Sequence, residues 1–212
     1  MKLFIVIGHY GSGKSEIAAN LAIREKCSVL VDLDIVNPYF RTSDVRGELA
    51  EFGIKVVASE YAGSNIDIPA LPPQINAVFD QKEDAVFDVG GDDDGAVVLG
   101  RFADRFLESG YDMLMAVNMK RPSTASIERI IEMRGAIERA SGLKVTRIIN
   151  NTNLLGETTL TDLLAAQKML EAADLGEVEI AGFSEILDRL PRELAARKFE
   201  LKKFIKYENG IV

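Results

Sequence analysis

A chain of 212 residues with 47% hydrophobic and 27% charged residues has the composition of one well-cored α/β domain. A net charge of −8 argues against a surface given over to nucleic acid, and no direct nucleic-acid contact is expected. The single cysteine, Cys27, and single histidine, His9, exclude an internal disulfide, zinc sites of the Cys/His type and Ser-His-Asp chemistry away from the segment around His9.

The chain starts straight into a predicted strand, Leu3-Phe4-Ile5-Val6-Ile7, which leaves no room for a signal peptide. With no apolar run of membrane-spanning length, a cytoplasmic protein is expected. Gly8-His9-Tyr10-Gly11-Ser12-Gly13-Lys14-Ser15 follows, with the spacing G-x-x-x-x-G-K-[ST] of a phosphate-binding loop. Backbone amides can curl around a triphosphate only where side chains are absent, and the helix that follows offers free amides and partial positive charge. Nucleotide contact is therefore assigned to Gly8, Gly11, Ser12, Gly13, Lys14, Ser15 and Glu16. Lys14 would neutralise the β/γ-phosphates and Ser15 would ligate magnesium. His9 is either a pH-sensitive phosphate contact or an outward-pointing side chain.

A helix is predicted from Ser15 to Lys26, with Ile17, Ala18, Leu21 and Ala22 on one face. Cys27 precedes the next strand as a buried structural thiol. That strand, Ser28–Val31, ends in Asp32-Leu33-Asp34, whose two carboxylates leave the same face. One carboxylate is a candidate for the metal's water shell and the other for orienting an attacking water; the alternative is a solvated turn. Ile35–Thr42 is read as irregular, Ser43–Phe52 as a helix stopped by Gly53, and Ile54–Ala58 as a strand. Ser59–Pro73 is a long loop, functional or mobile.

A helix from about Pro73 to Asp80 precedes the strand Ala85–Phe87, which closes on Asp88, with Gly90 and Gly91 behind it. Asp88 is assigned to magnesium, with helix capping as the alternative, and Gly91 lets the backbone swing its amide toward a γ-phosphate. Of the acidic run Asp92-Asp93-Asp94, Asp94 is read as the cap of a helix from roughly Ala96 to Glu108. Then come a central strand Tyr111–Val117, a helix Thr124–Ala140, a strand Val145–Ile149 ending in Asn150-Asn151, a helix Thr159–Ala173 and a strand Val178–Ala181. Asn118-Met119-Lys120-Arg121 only partly echoes the guanine motif N-K-x-D, so GTP stays open beside ATP. Arg41 and Arg121 are candidate phosphate or partner contacts by position.

Strands alternating with helices imply βαβ crossovers and a mostly parallel, three-layer sheet. Ligands of such sheets sit beyond the strand C-termini, where the glycine loop, Asp32, Asp34, Asp88, Asn150 and Asn151 all fall.

These residues together carry a family likeness. Gly8–Ser15, Asn20-Leu21-Ala22, Asp32-Leu33-Asp34, Asp88-Val89-Gly90-Gly91 and Ile148-Ile149-Asn150-Asn151 make the chain resemble the MinD/ParA-type P-loop NTPases. That wider group includes the CobQ/CobB-like synthetases and the nitrogenase iron protein. The resemblance implies a sheet with MgATP at its C-terminal edge, Asp34 positioning the attacking water, Ser15, Asp34 and Asp88 serving magnesium, and Asn151 touching the adenine. It also implies a protein partner and possible homodimerisation around ATP. The family's signature lysine, five residues before the loop lysine, is here His9, and Tyr10 replaces a usual glycine. Iron–sulfur relatives need paired cysteines, which one cysteine excludes.

Glu185–Tyr207 is predicted to be mostly helical. Between Arg189 and Lys206 lie seven basic and two acidic residues, a local charge of +5. Leu190, Leu194, Leu201, Phe204 and Ile205 would make an apolar face, either for a membrane surface or, preferred here, for packing on the sheet. The resulting expectation is a Mg-dependent ATPase acting as a nucleotide switch or assembly factor, with Lys14 and Asp34 as its catalytic residues. The alternative is an ATP-dependent small-molecule kinase or synthetase.

Overall fold

A computed structural model describes residues 1–34, 45–58, 74–91, 93–154 and 157–204. Arg41, Ser43, Asp92, the 59–73 loop and Ile205 lie outside these residues.

Among the described residues the strands are β1 (Leu3–Ile7), β2 (Val29–Leu33), β3 (Lys55–Ala58), β4 (Ala85–Val89), β5 (Asp112–Val117), β6 (Arg147–Asn150), β7 (Glu177–Gly182) and β8 (Lys198–Glu200). They form one sheet in the order β3-β2-β4-β1-β5-β6-β7-β8. Every neighbouring pair is parallel. The helices are α1 (Lys14–Arg24), α2 (Arg46–Ala50), α3 (Gln74–Asp80), α4 (Asp93–Gly100), α5 (Ala103–Ser109), α6 (Ile127–Ser141), α7 (Leu160–Ala172) and α8 (Ser184–Leu187).

Strand β1 is buried at all five positions because helices cover both faces of the sheet. Its side chains alternate between two cores. Phe4 and Val6 meet Ile17, Leu21, Leu30 and Val86 under α1. Leu3, Ile5 and Ile7 join Val31, Phe87, Leu99 and Ile130 on the opposite face. The alternation also sets where polar groups point. Asp32 and Asp88 share parity with Leu30 and Val86, so both carboxylates emerge on the face that α1 covers. Asn150 has the parity of Ile148 and faces the other way.

The expected helix from Ala96 to Glu108 is two helices, α4 and α5. Gly100 ends the first, and the turn swings Phe102 and Phe106 into an aromatic cluster with Phe79, Phe87 and Tyr111. Such ring pairs contribute about 1 kcal/mol each beyond the area they bury. Because α4 begins at Asp93, Asp94 stands inside the helix and not at the cap position expected for it. Helix α6 is preceded by a 3₁₀ turn over Pro122–Thr124, and Ser126 caps it by accepting from Arg129 N–H. Thr159 and Asp162 form a reciprocal capping box on α7.

The C-terminal segment corrects a prediction. From 185 to 204 the chain is not mostly helical: α8 ends at Leu187, a 3₁₀ turn covers Arg192–Arg197, and Lys198–Glu200 adds the eighth strand beside β7. Leu190, Leu201 and Phe204 are buried and Leu194 packs partly buried beside Leu187 and Leu190, so these four residues of the expected helical face turn inward. No helix among the described residues is long and apolar enough to cross a membrane.

Candidate functional site

The glycine loop emerges from the buried end of β1 and turns back as α1. Ser12 N–H donates to the His9 carbonyl at 3.0 Å, closing the turn. Gly13, with φ +81°, caps α1 in the left-handed region, and a β-carbon there would collide with the Asn151 side-chain amide. Glycine is needed at this position on both counts. Asn151 Nδ2 donates 2.7 Å to the Ser12 carbonyl, so the end of β6 buttresses the loop. Ser12 Oγ and Asn151 Oδ1 are shielded from solvent and have no hydrogen-bond partner among the described residues. They stand as unused polar capacity beside the loop backbone.

Of the two asparagines, Asn150 is structural. Its Nδ2 donates to the Leu163 carbonyl at 3.2 Å and to Gln167 Oε1 at 3.1 Å, under α7.

On the other side of β1, the acids converge. Lys14 Nζ lies 2.8 Å from Asp34 Oδ2, with both side chains almost wholly buried. Asp34 N–H donates to Asp32 Oδ1 at 3.1 Å, and Asp32 is the cross-strand partner of Asp88. Asp88 is fully buried, and its carboxyl is pushed up to about 7. Burial is the main cause and the Asp32 carboxylate adds to it, while Lys14 and the Ser15 hydroxyl act in the opposite direction. Gly91 sits so close to the Gly8 carbonyl and His9 Cα that a β-carbon would overlap them, and Gly90 lies against the Asp34 carboxylate. The turn after β4 is thus pressed directly on the glycine loop.

No group of three or more His, Cys, Asp or Glu side chains among the described residues is arranged to hold a metal unaided. The donors present are nonetheless hard oxygens, with the Ser15 hydroxyl bonded to Asp88. They fit magnesium, which takes one or two protein ligands and completes its shell with water and phosphate oxygens.

Several features were beyond the sequence reading. Glu16 is buried, and its Oε1 accepts from Phe204 N–H at 2.6 Å, so its carboxylate holds the C-terminal segment. One turn on, Asn20 Nδ2 donates to the Lys202 carbonyl at 2.9 Å and Asn20 Oδ1 accepts from Lys202 N–H at 2.7 Å. The i,i+4 placement of Glu16 and Asn20 was the available signal. Asn118 links three segments: its Nδ2 reaches the Asn153 carbonyl at 2.7 Å and the Gly11 carbonyl at 3.4 Å, and its Oδ1 accepts from Lys120 and Asn153 N–H. His9 is half-buried, with Nδ1 3.2 Å from the Tyr10 carbonyl, while the Tyr10 ring is exposed at the loop tip.

No family model and no curated protein matches the sequence. Solved structures do resemble the fold. A cell division protein FtsY from Thermotoga maritima superposes with a TM-score of 0.53 over 87% of this chain and 63% of its own, at 15% identity. FtsY from Mycoplasma mycoides gives a TM-score of 0.51 over 85% and 60% of the two chains, at 14% identity. A looser likeness, TM-score 0.44 at 18% identity over 70% and 48%, is to the signal recognition particle receptor FtsY from Elizabethkingia anophelis in complex with GDP. The chain spans between 48% and 63% of the length of these structures. The chain shares with these structures a parallel α/β sheet flanked by helices, with the glycine loop at its centre.

Proposed function

We propose that this chain is an ATP-binding P-loop protein, a magnesium-dependent ATPase that works as a nucleotide switch or assembly factor. One observation carries the reading: the buried Lys14–Asp34 pair beside a glycine loop flanked by Ser12 Oγ and Asn151 Oδ1, which have no hydrogen-bond partner among the described residues. Lys14 and Asp34 offset each other's charge in this pair. A triphosphate on the loop offers Lys14 a stronger anionic partner, and the Asp34 carboxylate would then orient a water toward the γ-phosphorus. The loop amides and Lys14 then stabilise the charge that develops as the terminal phosphoryl group leaves.

Ser15 and Asp88 would hold a magnesium ion, which neutralises phosphate charge when bound. Asp88 enters that role by losing a proton. The Gly90–Gly91 turn, in contact with both the loop and Asp34, is placed to register the γ-phosphate and to present a different surface to a protein partner after hydrolysis. A homodimer around the nucleotide and a cytoplasmic location belong to the same reading. So does the treatment of the chain as a single nucleotide-binding domain.

The test is calorimetric titration with ATP and GTP in magnesium, paired with phosphate-release assays. Submillimolar binding of ATP, with slow acceptor-independent hydrolysis, supports the switch. ADP release that depends on an added metabolite supports phosphate transfer to a small molecule. Absence of binding by any purine triphosphate overturns the reading.

A further inference from the structure

The order of the strands gives the site a direction. Asp32, Asp34 and Asp88 close β2 and β4 on one side of β1, whereas Asn118, Arg121 and Asn151 follow β5 and β6 on the other. A nucleotide seated on the loop, as read above, directs its metal-bearing terminal phosphates to the β4 side. Its nucleoside then lies on the β5–β6 side.

Arg121 stands at that second end. Its Nε, Cζ and Cδ lie 3.0, 3.4 and 3.5 Å from where a β-carbon on Gly11 would be, so the guanidinium rests against the flank of the loop. Its Nε is shielded from solvent without a hydrogen-bond partner among the described residues. The backbone that delivers it is fixed. Arg121 N–H donates to the Asn118 carbonyl at 3.0 Å, and the Arg121 carbonyl accepts from Thr124 N–H at 3.0 Å. Pro122 follows, and Asn118 is tied to both Gly11 and Asn153. A planar cation held this way is preorganised to cover an aromatic ring.

We propose that Arg121 stacks its guanidinium on the purine ring of the bound nucleotide, an assignment that rests on the nucleotide reading above. The triphosphate is already served by Lys14 and the loop amides. The position of Arg121 beyond β5 places its cation over the nucleoside. Stacking uses the face of the base and not its edge, so this contact strengthens ATP and GTP alike and leaves their discrimination to other groups.

The experiment is calorimetry on the full chain with MgATP, MgGTP and inorganic tripolyphosphate, comparing wild type with Arg121→Ala and Arg121→Lys. Arg121→Ala should weaken ATP and GTP about tenfold and tripolyphosphate less than about twofold. Arg121→Lys keeps the charge and loses the plane, and should weaken ATP about threefold with tripolyphosphate unchanged. Equal losses for ATP and tripolyphosphate would make Arg121 a phosphate contact and overturn the stacking assignment, as would undiminished ATP affinity in both variants. Wild type that binds tripolyphosphate and ATP equally tightly overturns it too. Wild type that binds no triphosphate overturns the nucleotide reading itself along with this one.

Discussion

Lys14 Nζ and Asp34 Oδ2 meet at 2.8 Å in a place almost closed to water, one on the helix after β1 and the other just past β2. Removing one partner from such a pair leaves an uncompensated buried charge, which typically costs about 3–5 kcal/mol. Asp34→Ala should therefore lower the thermal stability of the nucleotide-free chain and keep nucleotide binding. Added ATP should restore much of the lost stability, since phosphate replaces the missing carboxylate. Hydrolysis should fall by roughly a hundredfold or more. Retained turnover in phosphate-release assays would remove Asp34 from the mechanism.

Lys14→Ala should abolish detectable nucleotide binding in the same titrations. In thermal or denaturant unfolding, the Lys14→Ala/Asp34→Ala double variant should be less destabilised than the two single changes added together, by about 1–3 kcal/mol. Simple additivity would show that the pair contributes nothing as a pair.

Asp88 gives the metal-free chain a defined pH dependence. Its carboxyl titrates near 7 in the folded chain, against an unfolded value of about 3.9. Between these values the folded chain keeps a proton that the unfolded chain has released. The stability from this group is complete below about pH 4 and is lost as pH rises through 7. In EDTA, the stability of Asp88→Asn relative to wild type should increase between pH 5 and 8, by roughly 2 kcal/mol or more. Magnesium affinity of the nucleotide-loaded wild type should fall from pH 8 to pH 6, because the proton must leave first. Parallel stability curves for the two proteins would contradict the burial argument.

The hold of α1 on the C-terminal segment is open to direct measurement. Asn20→Ala deletes two hydrogen bonds to Lys202, at a cost of about 1–3 kcal/mol. Amide exchange at residues 202–204 and tryptic cleavage after Lys202 and Lys203 should both accelerate, while exchange in β1 should change far less.

Cys27 is 3% exposed, and burial together with the nearby Asp84 and Glu25 carboxylates pushes its thiol up to about 12. It should resist Ellman's reagent at pH 8 in the folded chain and react fully in denaturant. Rapid labelling of the native chain would show that the α1–β2 corner opens locally.

The parallel sheet and the loop were legible because the apolar runs and the glycine spacing are local signals, each readable in a window of ten residues. Asp88 was identified as the end of an apolar strand, but its pairing with Asp32 depends on the register of β2 against β4 across some fifty residues of chain. No local pattern encodes that. Which side of the sheet Asn150 and Asn151 each face depends likewise on parity along β6. The C-terminal prediction failed for a related reason. Leu190, Leu194, Leu201 and Phe204 fall at spacings a helix would use, but Phe199 is fully buried in a three-residue strand that exists only through pairing with β7. A strand that short carries almost no signal of its own.

The bonds from Glu16 and Asn20 to residues 202–204 have a consequence for the order in which the protein is made. During synthesis the glycine loop leaves the ribosome well before these partners, and its helix waits for some 180 further residues before they exist. β1 likewise waits for β4 and β5 before either of its edges is filled. Contacts of such long sequence separation form late in folding. A nascent chain can therefore display the loop motif long before it has a nucleotide site, and ligand-assisted folding should set in only once residues 202–204 have emerged.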